Sequence, residues 1–398
     1  MRPVRRVATI DRSRRSPRCI LTPGTDWDTP GVTVPAQAKH AVLPRASHDE
    51  AARQAFVETM GRTVLPTLAT LNRAAYGKVG NASMDRHRLR RTLSDHPAWQ
   101  LSSALRLVHQ EALWDSVIGS VERQLPNLVA AADRLRAAAR HATLRLDPSL
   151  DVPRYLTAVD IHLMPGNYDG ERVADDITAG ALYDRGVFIR ALGLRGAYGE
   201  DYGASFGDFV RARFPDLAVR RVLEIGCAVG GSTLGLVEAF PEAHVHAVDV
   251  AAPVLRYAQA RMESLGRRAH FEQQNAERLS FDDDTFDVVA GFALLHETSA
   301  KALPRILREV HRVLRPGGVA IFRERPAFST LTALEAHEID WDTYYNGEPF
   351  YGQFFSLDRR QIFLDAGFRP DRIISDAVQS HQHGGRQGVA YPGFGAWK

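Results

Sequence analysis

Apolar residues recur every fourth position at Ala52, Phe56, Met60, Val64 and Leu68, a spacing that predicts an amphipathic helix beginning at Ser47. Ser47 with Glu50 three residues later reads as a capping box, and Pro66 should bend or break the helix. A second run, Pro97 to about Gln124, carries Leu101, Leu105, Val108, Ala112, Val117 and Val121. A third follows Pro126, with Leu128, Ala131, Leu135 and Ala138 on one face. Residues 47–150 are therefore expected to form an all-helical cap whose stripes are core.

Near Asp151 the texture changes. The stretch Tyr155–Tyr168 is apolar and turns at Pro165-Gly166, and about Asp175–Leu192 reads as helical, so residues 151–219 connect the cap to the C-terminal part of the chain. From Arg220 onward short β-branched runs alternate with helical patterns, which predicts βαβ units and a mostly parallel sheet over residues 220–398. Strands are expected near Arg221–Ile225, Val245–Asp249, His270–Gln273, Phe286–Gly291, Val319–Arg323, Arg372–Val378 and Val389–Trp397.

Composition narrows the class. A chain of 398 residues with 44% hydrophobic and 24% charged residues suits one large α/β domain with a smaller companion and excludes disorder throughout. No window approaches the roughly 18 apolar residues of a membrane span, so a soluble protein without a membrane partner is expected. Two cysteines, Cys19 and Cys227, are too few for a disulfide framework, and a reducing, cytoplasmic setting fits. The net charge of +3 is uneven: residues 1–20 hold seven arginines and one acid, which leaves the other 378 residues at −3. Such a body is poorly suited to gripping a polyphosphate, so no nucleic-acid partner is expected. Residues 1–46, rich in Arg, Pro and Gly, read as a disordered leader.

The first strand of the sheet runs into Gly226-Cys-Ala-Val-Gly-Gly-Ser232. Closely spaced glycines between strand and helix bring bare backbone N–H groups against a ligand at the carboxyl edge of a sheet. Asp249 ends the next strand, where it either holds two ribose hydroxyls or caps the following helix. Asn275 follows the third strand and is placed to address an adenine amino group. Glu-x-Gly-x-x-x-Gly at 224–230, the acid at 249, Asn-Ala-Glu at 275–277, Phe-Asp-Val-Val at 286–289 and Arg-Val-Leu-Arg-Pro-Gly-Gly at 312–318 together resemble the class I S-adenosylmethionine-dependent methyltransferases. The resemblance spans about Arg220–Arg325. It implies a Rossmann-like seven-stranded sheet with the last strand antiparallel to the others, and S-adenosylmethionine as cofactor. It also implies that Glu224, Gly226, Cys227, Ala228 and Gly230 line the methionine end, Asp249 and Val250 take the ribose, and Asn275, Ala276 and Phe292 complete the site. Ala228 stands where glycine is usual, and Asn275 where aspartate is common.

Methyl transfer from a sulfonium is an in-line displacement that asks mainly for alignment and exclusion of water; a base is needed only when the nucleophile arrives protonated. His296, after the fourth strand, is either that base or a packing residue, and Glu297 reads as a first-turn helix acid. The insertion at 324–357 mixes acids with Trp341, Tyr344, Tyr345 and Phe350, as a substrate-facing wall or its own core. Tyr168, with His162, is expected to close the site from the helical side, and Tyr168 and Tyr344 join His296 as candidate catalytic residues. His162, His296, Glu297, His337, Glu338, His381 and His383 show no tight ligand pair, so no metal residue is assigned, and a single metal, as some methyltransferase domains with helical lids hold, stays open as a lesser alternative. The absence of an Asp/Asn-Pro-Pro-aromatic box after the fourth strand points to a small-molecule acceptor, of secondary-metabolite type. Two alternatives stand beside it: a non-methylating reaction on the same cofactor, and a macromolecule methyltransferase using the arginine-rich leader.

Overall fold

The computed structural model describes residues 36–79, 84–380 and 390–398. Most of the expected leader, and His381 and His383, lie outside the described residues. Residues 36–46, read from the sequence as part of that leader, are instead anchored to the folded body. Ala38 N–H donates to Ala197 O at 2.9 Å, His40 Nε2 lies 3.0 Å from Asp184 Oδ2, and Val42 is fully buried. The cause is one buried carboxylate: Asp184 also accepts from Tyr257 OH at 2.7 Å, and a buried charge must collect such partners.

In the cap, α1 (His48–Thr59) starts at Ser47 with the expected capping box. Pro66 offers no N–H, and the chain adjusts with a wide π turn over Met60–Val64, in which Leu65 N–H reaches Met60 O, before α2 (Leu65–Val79). After α3 (Arg86–Leu93), α4 (Pro97–Ala137) is a single helix of 41 residues, not two divided at Pro126. The proline leaves the Glu122 carbonyl without its helical donor, but Leu125, Leu128 and Ala132 are buried around it and packing carries the helix across the gap. The short α5 (Arg154–Thr157) and α6 (Thr178–Arg190) lead to α7 (Asp201–Arg213).

Among the described residues eight strands form one sheet: β1 (Ala142–Arg145), β2 (Arg221–Ile225), β3 (His244–Asp249), β4 (Ala269–Gln273), β5 (Phe286–Phe292), β6 (Leu314–Arg323), β7 (Ile373–Gln379) and β8 (Ala390–Trp397). Their order is β1-β4-β3-β2-β5-β6-β8-β7. Strands β1 to β6 pair in parallel, and β8 runs antiparallel between β6 and β7. This is a Rossmann-like sheet with an N-terminal helical region, and it carries one strand more than expected. Edge strand β1 has only Ala142 and Leu144 turned inward, too short an alternation to register.

Both faces are covered, which is why the central strands read as continuous apolar runs. Val222, Val288 and Ile321 pack with Phe206 and Val210 of α7 and with Leu236 of α8 (Gly231–Ala239). Their neighbours Leu223, Val289 and Phe322 face the other way, against Ile306, Leu307 and Val310 of α10 (Leu303–Val313), while α9 (Ala252–Ser264) packs on β4. No described helix is long and apolar enough to cross a membrane.

Candidate functional site

The carboxyl ends of β2 and β3 are stitched together. The N–H groups of Gly226 and Cys227 both reach Val248 O, at 2.8 and 3.2 Å. Asp249 returns the bond: Oδ2 accepts from Ala228 N–H at 2.9 Å and Oδ1 from Ala251 N–H at 3.0 Å, at the start of α9. Asp249 thus braces the residue before α9 without capping the helix itself, and it lines a cavity. Burial pushes its pKa above the ordinary value, against the pull of those N–H groups.

Gly226, Ala228 and Gly230 have φ of 71°, 44° and 73°. Two of these left-handed positions are glycine, and Ala228 pays for its β-carbon with about 1–2 kcal/mol of strain. Ala228→Gly should raise stability by about 0.5–1 kcal/mol once glycine's greater unfolded-state entropy is subtracted, read as a higher denaturation midpoint with an unchanged m-value. A lower midpoint would mean that the methyl group packs to advantage.

Two adjoining cavities open on this loop and share Tyr183, Gly226, Ala228, Phe292 and Ala293. The larger, about 770 Å³, adds Tyr155, Tyr168, Asp249, Val250, Asn275, Ala276 and Glu297. The smaller, about 680 Å³, adds Cys227, Arg195, Tyr198, Tyr202 and Ser232. Of the sequence candidates, Tyr168, Gly226, Cys227, Ala228, Asp249, Val250, Asn275, Ala276 and Phe292 thus come together around one opening.

Four candidates lie outside both linings. Glu224 is wholly buried beneath the loop, and its carboxylate takes the hydroxyls of Ser232 and Thr233 in the first turn of α8. Burial raises its pKa to about 7. Gly230 supplies the left-handed turn into α8. Tyr344 is 42% exposed, under the Arg90 guanidinium at 3.6 Å, and its assignment to the site is corrected: it packs toward the cap with Trp341, which is buried against Trp99, Leu89 and Leu93, while Phe350 meets Tyr155 of the larger cavity's lining. The fourth, His296, is buried under the site.

His296 belongs to a chain of ionisable groups that sequence spacing does not reveal. Its Nδ1 lies 2.5 Å from Glu324 Oε2 and its Nε2 3.3 Å from Glu348 Oε2. Glu348 Oε1 lies 3.0 Å from His162 Nδ1, and His162 Nε2 lies 3.1 Å from Glu297 Oε1, at the cavity wall. Tyr168 OH donates to that same Glu297 oxygen at 3.3 Å. Burial disfavours the charged imidazoles, yet the carboxylates overcome it: Glu348 and Glu297 raise His162, and Glu324 and Glu348 hold His296 well above its usual value. Held well above its usual value, with both ring nitrogens facing carboxylates, His296 has no free lone pair in this arrangement with which to accept a proton. Among the described residues no group of three or more His, Cys, Asp or Glu forms a metal site.

The family profile described as a methyltransferase domain matches residues 222–318. The chain is 30% identical over 191 residues to a demethylmenaquinone methyltransferase of Lactococcus lactis, covering 44% of this chain and 72% of that protein. It is 38% identical over 103 residues to a malonyl-acyl-carrier-protein O-methyltransferase of Halorhodospira halophila, covering 26% of this chain and 34% of the other. A tRNA N(3)-methylcytidine methyltransferase of Drosophila melanogaster is 24% identical over 169 residues, covering 40% and 52%. The chain spans under half the length of several curated relatives that it matches. With the stitched β2 and β3 ends, the acid at 249 and the β8 reversal already established, these matches place the chain in the class I S-adenosylmethionine-dependent methyltransferase family.

Proposed function

We propose that the larger cavity binds S-adenosylmethionine and that the protein transfers its methyl group to a small-molecule acceptor enclosed between the sheet edge and the segment that connects it to the cap. The observation that carries this reading is the placement of Asp249 and Asn275 on one cavity wall, beside a loop whose Gly226 and Ala228 let a ligand approach the backbone. Each Asp249 oxygen has one backbone N–H and keeps a lone pair for a ribose hydroxyl. Asn275 Oδ1 accepts from Glu277 N–H at 2.9 Å and keeps a second lone pair for the adenine amino group, with Nδ2 as a donor beside it. The bound cofactor supplies an activated methyl group on a sulfonium. The chain's own task is to align the acceptor and keep water out, and Tyr155, Tyr168 and Tyr183 of the connecting segment line the cavity for this.

The relative named for demethylmenaquinone supports a small-molecule acceptor. Asp249→Ala should weaken S-adenosylhomocysteine binding by about 1–3 kcal/mol, roughly 5- to 150-fold, in calorimetric titration. Affinity equal to that of the unmodified protein would remove Asp249 from the site and this reading with it.

A further inference from the structure

We infer that Glu297 is the general base of the reaction and that the acceptor arrives with a proton to lose, as a hydroxyl or an acidic carbon does. The inference rests on the cofactor reading above. Three observations carry it, beginning with position. Glu297 lines the cavity that holds Asp249 and Asn275, and while its Oε1 is held by His162 and Tyr168, its Oε2 has no partner among the described residues.

The second is elimination among the groups facing that cavity. Asp249 is assigned to the ribose, each of its oxygens holding one backbone N–H and turning its remaining lone pair to a ribose hydroxyl. Burial drives the hydroxyls of Tyr155 and Tyr168 to hold their protons more tightly. His296 sits below the floor between two carboxylates.

The third is how much of the fold is given over to holding Glu297 still. His162 has a left-handed φ of 58°, followed by Leu163 at 57°, a costly backbone for branched or bulky residues. Its carbonyl accepts from Gln110 Nε2 and Trp114 Nε1 of α4, both at 2.7 Å, while its ring is clamped between Glu297 and Glu348. Cap, insertion and sheet thus converge on one imidazole whose other neighbours are Asn346 and Arg190. Strain retained at a residue with two packed partners on its carbonyl marks a position fixed for use. His162 is a positioning residue: held between Glu348 and Glu297, its ring keeps the Glu297 carboxylate aimed.

In the step itself the acceptor's bond to hydrogen breaks and the proton passes to Glu297 Oε2. The freed electron pair forms the bond to the methyl carbon, and the carbon–sulfur pair returns to sulfur as a neutral thioether.

The test uses the full chain with S-adenosylmethionine labelled in the methyl group and three probes: catechol and acetylacetone, which must lose a proton, and pyridine, which has none to lose. Label is expected on catechol or acetylacetone. Glu297→Gln should lower that transfer at least 100-fold. S-adenosylhomocysteine and catechol should meanwhile bind the variant within threefold of the unmodified protein by calorimetry. Glu297→Ala should regain part of its transfer in formate. Transfer to pyridine alone or to none of the probes, a Glu297→Gln variant that keeps its rate, or a catechol affinity that falls with the rate would each overturn the assignment. Loss of S-adenosylhomocysteine binding in the unmodified protein would instead overturn the cofactor reading.

Discussion

Glu348→Gln is expected to cost about 3–5 kcal/mol of stability, because it leaves two buried imidazolium rings without the carboxylate they share. Glu348 is 3% exposed and lies 3.0 Å from His162 and 3.3 Å from His296, with Asn346 Nδ2 donating to it at 2.7 Å. Burial disfavours its charge, but His162 above all holds its pKa well below the ordinary 4.5. A depressed carboxylate stabilises the fold above that ordinary value and loses the contribution as pH falls below it. The two raised histidines act oppositely: their contribution is complete below the ordinary 6.5 and is lost as pH rises through their folded values. The penalty of Glu348→Gln should therefore be greatest between about pH 4.5 and 6.5 and shrink toward alkaline pH. Urea unfolding of both proteins at pH 5.5 and 9 measures this. A penalty that grows with pH would show that the imidazoles are neutral in the native state.

The second large effect concerns the joint between α7 and α8, which sets the height of the glycine loop. A β-carbon on Gly235 would lie 2.2 Å from Glu200 O and 2.5 Å from Ala204 N, and one on Gly203 would lie 2.0 Å from Ser232 O. These neighbours are backbone and cannot rotate aside. Alanine gains about 1 kcal/mol over glycine from helix propensity, so propensity alone predicts that Gly235→Ala stabilises. Overpacking against backbone costs about 3 kcal/mol or more and wins, leaving a net loss of about 2 kcal/mol. Because α8 starts at Gly231, beside the cavity, S-adenosylhomocysteine affinity should fall as the helix is pushed away. A variant more stable than the parent would show that the two helices separate freely.

The sheet was legible because β2, β3, β5 and β6 leave short β-branched runs that alternate with helical patterns, each closed by a turn or an acid. The cofactor wall was legible for the same reason, since Gly226, Asp249 and Asn275 stand at strand ends and their order along the chain is their order in space. What escaped depends on distant partners. Asp184 looks like a helix-surface acid until His40, Tyr257 and Arg261 surround it. Glu297 and His296 are adjacent in sequence, yet only Glu297 reaches the cavity, because the short helical turn at Leu295–Glu297 points consecutive side chains apart. Glu348 carried no signal, as its two histidines lie in the segment after α5 and after β5. Tyr344 misled because an aromatic cluster beside a site and one that packs an insertion on a cap have the same composition.

The most direct test is a crystal structure of the protein with S-adenosylhomocysteine. The ribose hydroxyls should lie within hydrogen-bond distance of Asp249, with the adenine against Asn275 and Ala276 and Glu297 left open toward the acceptor side. Nucleoside density elsewhere, or a cavity that excludes the ligand at saturating concentration, would contradict the account.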